Sequence, residues 1–224
     1  MYLNITVVRP LLLSALRFRA KKPRSLTQSD LISLFKEIER FHFRFNAICK
    51  ERPSGIDSAY SALAVAISKA NDKRAVRSAI DDVKSFLERK TPATSIFNQR
   101  FEKDLWYTND KPNHKKLIFY IFKKLELAKR ITNELSYELV SIEHIGSQAN
   151  YNAKTVGMIG NLLPLGFAIN EKCKTKAVTD KIDYYKSSDL LVVKEFTDSF
   201  SGEWNESDII SRTQKLAHQA YELI

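Results

Sequence analysis

The residues best suited to chemistry are His144, its neighbour Glu143, and two asparagines, Asn161 and Asn170. A histidine titrates near neutral pH, so its imidazole can accept a proton from a water molecule. Carboxylate and amide oxygens are ligands that Mg²⁺ and Mn²⁺ prefer, which makes Glu143 and Asn170 candidate metal ligands. Asn161 has two open interpretations, because its amide can either pin a loop or hold the imidazole with one nitrogen free. A base that activates water, with a divalent cation that offsets the charge on a phosphate, is one arrangement suited to phosphodiester hydrolysis.

The pattern around these residues predicts a small strand, strand, helix unit. In chain order we expect a strand, a polar loop, a second strand and a short helix over 137–145, 146–157, 158–165 and 169–178. His144 then ends the first strand, Asn161 begins the second, and Asn170 starts the helix. We therefore expect these three positions, distant along the chain, to converge around one cation.

The rest of the chain has the spacing of amphipathic helices. The predicted helices cover 26–50, 57–70, 75–90, 115–130 and 205–222. The apolar segment 11–16 is too short to cross a membrane and is predicted to be a buried helix. The fold class is therefore α+β, mostly α, with a basic helical region over 1–132 and a second domain over 133–224.

The chain carries a formal net charge of +10, and all of the excess positive charge lies before residue 139. Such a surplus is explained either by a polyanion partner or by a basic surface that binds nothing. The two cysteines, Cys49 and Cys173, have no CxxC spacing, so neither a disulfide framework nor a thiolate zinc site is indicated. With no long apolar run to span a bilayer, we expect a soluble cytoplasmic protein with no membrane partner.

Some basic and aromatic side chains are candidates for contact with nucleic acid. Four lysines follow Asn170 and either track phosphates or form a solvated helix face: Lys172, Lys174, Lys176 and Lys181. Trp106 and Tyr107, in a polar segment, are weaker candidates for an exposed contact.

Several sequence motifs then point to a known family. They are EHI, IGNLLPL, INEKCKTKAVTDKIDYYKSSDL, and a tryptophan followed by DIISRTQKLAHQAY. In order and spacing these resemble the HNH domain of GmrSD-type restriction endonucleases over about residues 137–222. The resemblance implies that 133–224 is a β-β-α-metal (HNH, or His-Me finger) unit with a C-terminal helix. One departure concerns the loop, because Gly146-Ser147-Gln148 follows EHI where the family commonly has a proline and a glutamine.

The resemblance also implies roles for individual residues. His144 becomes the general base, Asn161 the asparagine of the second strand, and Asn170 the last member of the triad. Glu143 would assist at a Mg²⁺ or Mn²⁺ ion. Arg212 lies in another stretch typical of the family and is either scaffold or a contact to the DNA backbone.

The expected function is that of a metal-dependent DNA endonuclease of the HNH type in restriction or anti-phage defence. Its partner would be double-stranded DNA, with modified phage DNA as one case. Family members usually carry a domain that binds nucleotide and recognises modified bases, and a separately encoded sensing subunit is one way in which that role could be supplied. The alternative is a catalytically inactive subunit that binds DNA or a partner protein.

Overall fold

The computed structural model describes residues 5–52, 54–131, 140–147 and 151–224. These form two compact units, the described part of Leu3–Ala93 and Thr94–Ile224. The division therefore falls earlier than the boundary predicted between residues 132 and 133. The physical reason is that the helices over 94–104 and 115–129 pack against the last helix of the chain, which makes them part of the second unit.

The first unit is helical. Its α-helices are α1 (Arg9–Lys21), α2 (Gln28–His42), α3 (Ile56–Lys69) and α4 (Lys73–Lys90), and a π-helical turn, Phe43–Ile48, continues α2. Thr27 and Asp30 form a capping box at the start of α2, in which each side chain accepts a hydrogen bond from the other residue's backbone N–H. The predicted helices over 26–50, 57–70 and 75–90 are thus confirmed. The segment 11–16 is helical as predicted, but only one of its faces is buried: Leu11 and Ala15 are in the core, whereas Leu13 and Leu16 are nearly half exposed.

The second unit is built from seven α-helices of the described residues and a two-stranded antiparallel sheet. The helices are α5 (Thr94–Asp104), α6 (Lys115–Lys129), α7 (Ala153–Gly157), α8 (Phe167–Cys173), α9 (Val178–Lys186), α10 (Leu191–Ser199) and α11 (Glu206–Leu223). Strands β1 (Val140–His144) and β2 (Leu162–Gly166) pair so that Val140 lies opposite Gly166 and His144 opposite Leu162. A mostly helical α+β unit with a small sheet is what the sequence predicts.

The predicted elements around the sheet differ in their limits. The first strand is present over Val140–His144, and residues 137–139 lie outside the described residues. The second strand begins at Leu162 and not at 158, because Ile159–Asn161 form a 3₁₀ turn. The short helix runs over Phe167–Cys173, and Lys174 ends it with a positive φ of 40°. The loop over 146–157 contains the short helix α7, while residues 148–150 lie outside the described residues.

Helices α6 and α11 confirm the predictions over 115–130 and 205–222, and Asn205 caps α11 as expected. Glu126 on α6 is fully buried and accepts hydrogen bonds from Leu191 N–H and Val192 N–H, which begin α10. This carboxylate ties two helices of the second unit together. Within the described ranges, none of the helices has both the length and the hydropathy of a membrane span.

Candidate active site

His144 ends β1, and a backbone carbonyl from another part of the second unit holds its ring. Nε2 lies 3.2 Å from the carbonyl oxygen of Tyr107. The imidazole also stacks on the Tyr107 ring, with 5.7 Å between centroids and 20° between planes. Because a carbonyl can only accept, Nε2 must carry the proton. In the neutral ring Nδ1 is then left with a free lone pair.

The surroundings of His144 keep the ring neutral at physiological pH. Burial lowers the pKa of His144, the hydrogen bond to the Tyr107 carbonyl opposes this effect, and the nearby charge of Lys181 adds to it. A histidine with a lowered pKa is unprotonated at pH 7. The site therefore offers an imidazole that can accept a proton at Nδ1.

The segment that contains Tyr107 is itself held in place by several contacts. Tyr107 N–H donates to the Gly157 carbonyl at 2.8 Å, and Trp106 forms an isolated β-bridge with Met158. Tyr107 is 3% exposed, so the expectation that it makes an exposed contact is wrong. Its role in orienting His144 is not visible in the sequence, because a main-chain carbonyl leaves no trace in residue type.

Glu143 does not lie beside the His144 ring, contrary to the expectation of a shared cation. Successive side chains of a strand point to opposite faces, so Glu143 and His144 diverge. The Glu143 carboxylate is 6% exposed and accepts from Lys181 Nζ at 2.7 Å and Tyr185 OH at 3.2 Å. Burial raises the pKa of Glu143, and the ion pair with Lys181 acts against that rise. Glu143 is thus placed as the partner of an internal lysine and not as a ligand open to a metal.

Asn161 is fully buried, and four hydrogen bonds use its amide completely. Its Oδ1 accepts from Gly146 N–H at 2.8 Å and from Trp204 Nε1 at 2.9 Å. Its Nδ2 donates to the carbonyls of Gly146 at 3.0 Å and Val156 at 2.8 Å. Of the two interpretations left open by the sequence, the geometry matches the one in which Asn161 pins the loop that follows His144.

Asn170 lies on α8 and contacts β1 away from His144. Its Nδ2 donates to Ser141 Oγ at 2.6 Å, and that hydroxyl donates to the Leu165 carbonyl at 3.0 Å. Ser141 precedes His144 by three residues, so by strand alternation it lies on the opposite face. The structure therefore does not bring Asn170 and His144 together. Among the described residues, no three His, Cys, Asp or Glu side chains form a cluster that could hold a metal ion.

The candidate DNA contacts divide into exposed and buried groups. Lys172, Lys174 and Lys176 are exposed, on or just after α8. Lys181 is 1% exposed, which is incompatible with its predicted contact to DNA. Arg212 Nη1 donates to the carbonyls of Gly160 at 2.5 Å and Leu162 at 2.9 Å. Burial lowers the pKa of Arg212 to about 10. Of its two predicted roles, the scaffold role is the one that this geometry matches.

The second unit is thus an α+β domain in which a short antiparallel hairpin and a following helix present a neutral histidine. The sequence profile of the C-terminal domain of the GmrSD restriction endonucleases matches residues 96–219, which lie within this unit. The match covers more than half of the chain, so the chain belongs to this family. No protein of curated function matches the sequence.

Proposed function

We propose that this chain is an HNH-type DNA endonuclease that hydrolyses phosphodiester bonds with His144 as the general base, in restriction or anti-phage defence. Membership of a restriction-endonuclease family supports the class of reaction. The observation that carries the residue assignment is the hydrogen bond between His144 Nε2 and the Tyr107 carbonyl, which leaves Nδ1 able to accept a proton.

In the proposed reaction, a water molecule beside Nδ1 gives its proton to that nitrogen while its oxygen attacks phosphorus. A new bond forms between phosphorus and the water oxygen, the bond to one sugar oxygen breaks, and that oxygen takes a proton from solvent. The imidazolium so formed has N–H groups on both nitrogens, and the Tyr107 carbonyl continues to accept from Nε2. Asn161 acts as a positioning residue, since it fixes the loop after His144.

A divalent cation, Mg²⁺ or Mn²⁺, remains a proposed cofactor, with the side-chain oxygen of Asn170 as its proposed ligand. The donor set of the described residues does not fit a complete site, because Glu143 is paired with Lys181 and no three-residue cluster is formed. No step of the proposed reaction is therefore assigned to the cation.

The proposed substrate is double-stranded DNA, including modified phage DNA. The exposed amines of Lys172, Lys174 and Lys176 are the proposed phosphate contacts. The excess of basic residues before residue 139 supports additional binding to the phosphates of the duplex that does not depend on base sequence. A separate nucleotide-binding subunit is the proposed source of recognition of modified bases.

The test is cleavage of a supercoiled plasmid in the presence of Mg²⁺ or Mn²⁺ by wild type and His144→Ala. Loss of a general base lowers the rate by about 100-fold to 10,000-fold, and we expect a loss in that range. His218→Ala is the matched control. Because His218 is exposed on α11, this variant should cut DNA like wild type. Equal cutting by wild type and His144→Ala would refute the assignment of the base.

A second candidate function is that of a subunit that binds DNA or a partner protein without cutting. It is favoured by the internal pairing of Glu143 with Lys181 and of Asn170 with Ser141. Tight, salt-sensitive DNA binding with no metal-dependent cleavage by the purified chain, alone or with a sensing partner, would favour this alternative.

A further inference from the structure

A buried ammonium group lies at the end of the strand that carries His144. Lys181 on α9 is 1% exposed, and its Nζ donates to three oxygens. They are Glu143 Oε1 at 2.7 Å, the His144 carbonyl at 2.8 Å and the Ile145 carbonyl at 3.2 Å. An ammonium has three N–H donors, so these three acceptors satisfy it completely.

Two of the three hydrogen bonds from Lys181 hold the backbone at His144, the proposed base. The carbonyls of His144 and Ile145 lie where pairing with β2 ends, and Lys181 fixes both of them. On the other side of His144, the ring is held at Nε2 by the Tyr107 carbonyl. The residue is thus held both at its peptide group and at its side chain, which leaves the direction of Nδ1 little freedom.

Glu143 has a defined part in this arrangement. A buried charge is costly unless it is paired and hydrogen bonded, so the carboxylate is what allows the ammonium to stay at the strand end. Tyr185 OH donates to the same carboxylate oxygen and helps to orient it. The Glu143 carboxylate, which the sequence suggested as a metal ligand, is therefore paired with the chain's own ammonium group.

We propose that Lys181 is a positioning residue for His144, and that Glu143 serves it as the counter-charge and not as a metal ligand. The catalytic consequence rests on the proposed function of His144, whereas the positioning itself is a property of the free protein. The two can therefore be tested separately.

The variants are Lys181→Met, Glu143→Gln, and the double variant Glu143→Gln/Lys181→Met. The matched control is Lys186→Met, which removes an exposed lysine of the same helix that pairs with Asp183 at 3.3 Å. Each single variant leaves an unpaired buried group, whereas the double variant has no buried charge at this place. We expect the double variant to have a higher Tm than Lys181→Met, so that it stays folded even where the single variant does not.

The first readout is plasmid cleavage at a fixed pH. A shift of about 1 Å in a catalytic group costs about 100-fold in rate, so we expect kcat to fall about 100-fold in the double variant with KM changed less than about twofold. Lys186→Met should have wild-type kcat and KM. Wild-type kcat in the double variant would overturn the proposal.

The second readout needs no activity: ¹⁵N NMR of the imidazoles in the DNA-free protein. Wild type and Lys186→Met should show His144 as a single tautomer protonated at Nε2. In the double variant the His144 peptide group is no longer held, so the ring can leave the Tyr107 carbonyl and we expect a mixture of tautomers. An unchanged His144 signal in the double variant would overturn the positioning role. If wild type does not cut DNA at all while this signal changes as expected, the proposed function fails and the positioning role of Lys181 stands.

Discussion

Replacement of Asn161 by leucine would remove the four hydrogen bonds that its amide makes to Gly146, Val156 and Trp204. A hydrogen bond of this kind contributes about 1 kcal/mol net, and a buried donor left without an acceptor costs about 1 to 3 kcal/mol. Gly146 N–H would be left as such a buried donor, whereas Trp204 Nε1–H belongs to a half-buried residue and would lose its one bond. Leucine has a similar volume, so the loss should come mainly from the hydrogen bonds. We expect the free energy of unfolding of the second unit to fall by about 4 kcal/mol.

The assay can report on the second unit alone. The chain has two tryptophans, Trp106 and Trp204, and both belong to that unit. Urea unfolding followed by tryptophan fluorescence therefore measures its stability without interference from the first unit. Asn205→Ala is the control, since Asn205 is an exposed asparagine that caps α11, and loss of a helix cap costs about 1 kcal/mol. A similar loss in the two variants would mean that the Asn161 bonds do not form in solution, and the loop-pinning role would be refuted.

Two further predictions concern other parts of the chain. The His42 ring is hydrogen bonded to Tyr60 and Asn46, and burial lowers its pKa. The unfolded state therefore binds more protons than the folded state in acid. The free energy of unfolding of the first unit should decrease as pH falls below about 6.5. Urea unfolding followed by circular dichroism at pH 7.5 and pH 5 should show this decrease in wild type and a smaller one in His42→Phe, and equal decreases would contradict it. A Cβ on Gly160 would lie less than 3.0 Å from the Ile209 carbonyl, so Gly160→Ala should cost the second unit about 1 to 3 kcal/mol by tryptophan fluorescence. Gly166→Ala, with nothing within 4 Å of the added carbon, is its control, and equal stability of the two variants would count against the packing of α11 on the 159–161 turn.

The helices and the strand ending at His144 could be predicted because their signals are local. An apolar run flanked by lysines predicted α6, apolar spacing with the capping residue Asn205 predicted α11, and a short strand pattern predicted β1. The same alternation, applied to adjacent residues, puts Glu143 and His144 on opposite faces, so that part of the predicted metal site could have been excluded from the sequence. The contacts of Lys181 could not, because they join positions 36 to 38 residues apart.

Residue type was also misleading where a charge is internal. Lys181 was expected to be exposed, on a solvated helix face or against phosphates, and contact with the DNA backbone was one of two roles expected for Arg212, because lysine and arginine are seldom buried. In the structure both donate hydrogen bonds to main-chain carbonyls of the second unit: Lys181 to that of His144 and Arg212 to that of Leu162. A buried lysine such as Lys181 differs from an exposed one by its pairing with a carboxylate on a distant strand. A single sequence does not show which residues are paired in this way.

The carbonyl that holds the His144 ring belongs to Tyr107, well upstream of the hairpin. A chimaera that received only residues 133–224 would carry the histidine, both asparagines and the final helix, and would still lack the group that selects its tautomer. A transplanted piece therefore keeps this hydrogen bond only when it includes Tyr107, and the compact unit that contains both residues begins at Thr94. The smallest transplantable piece begins near Thr94.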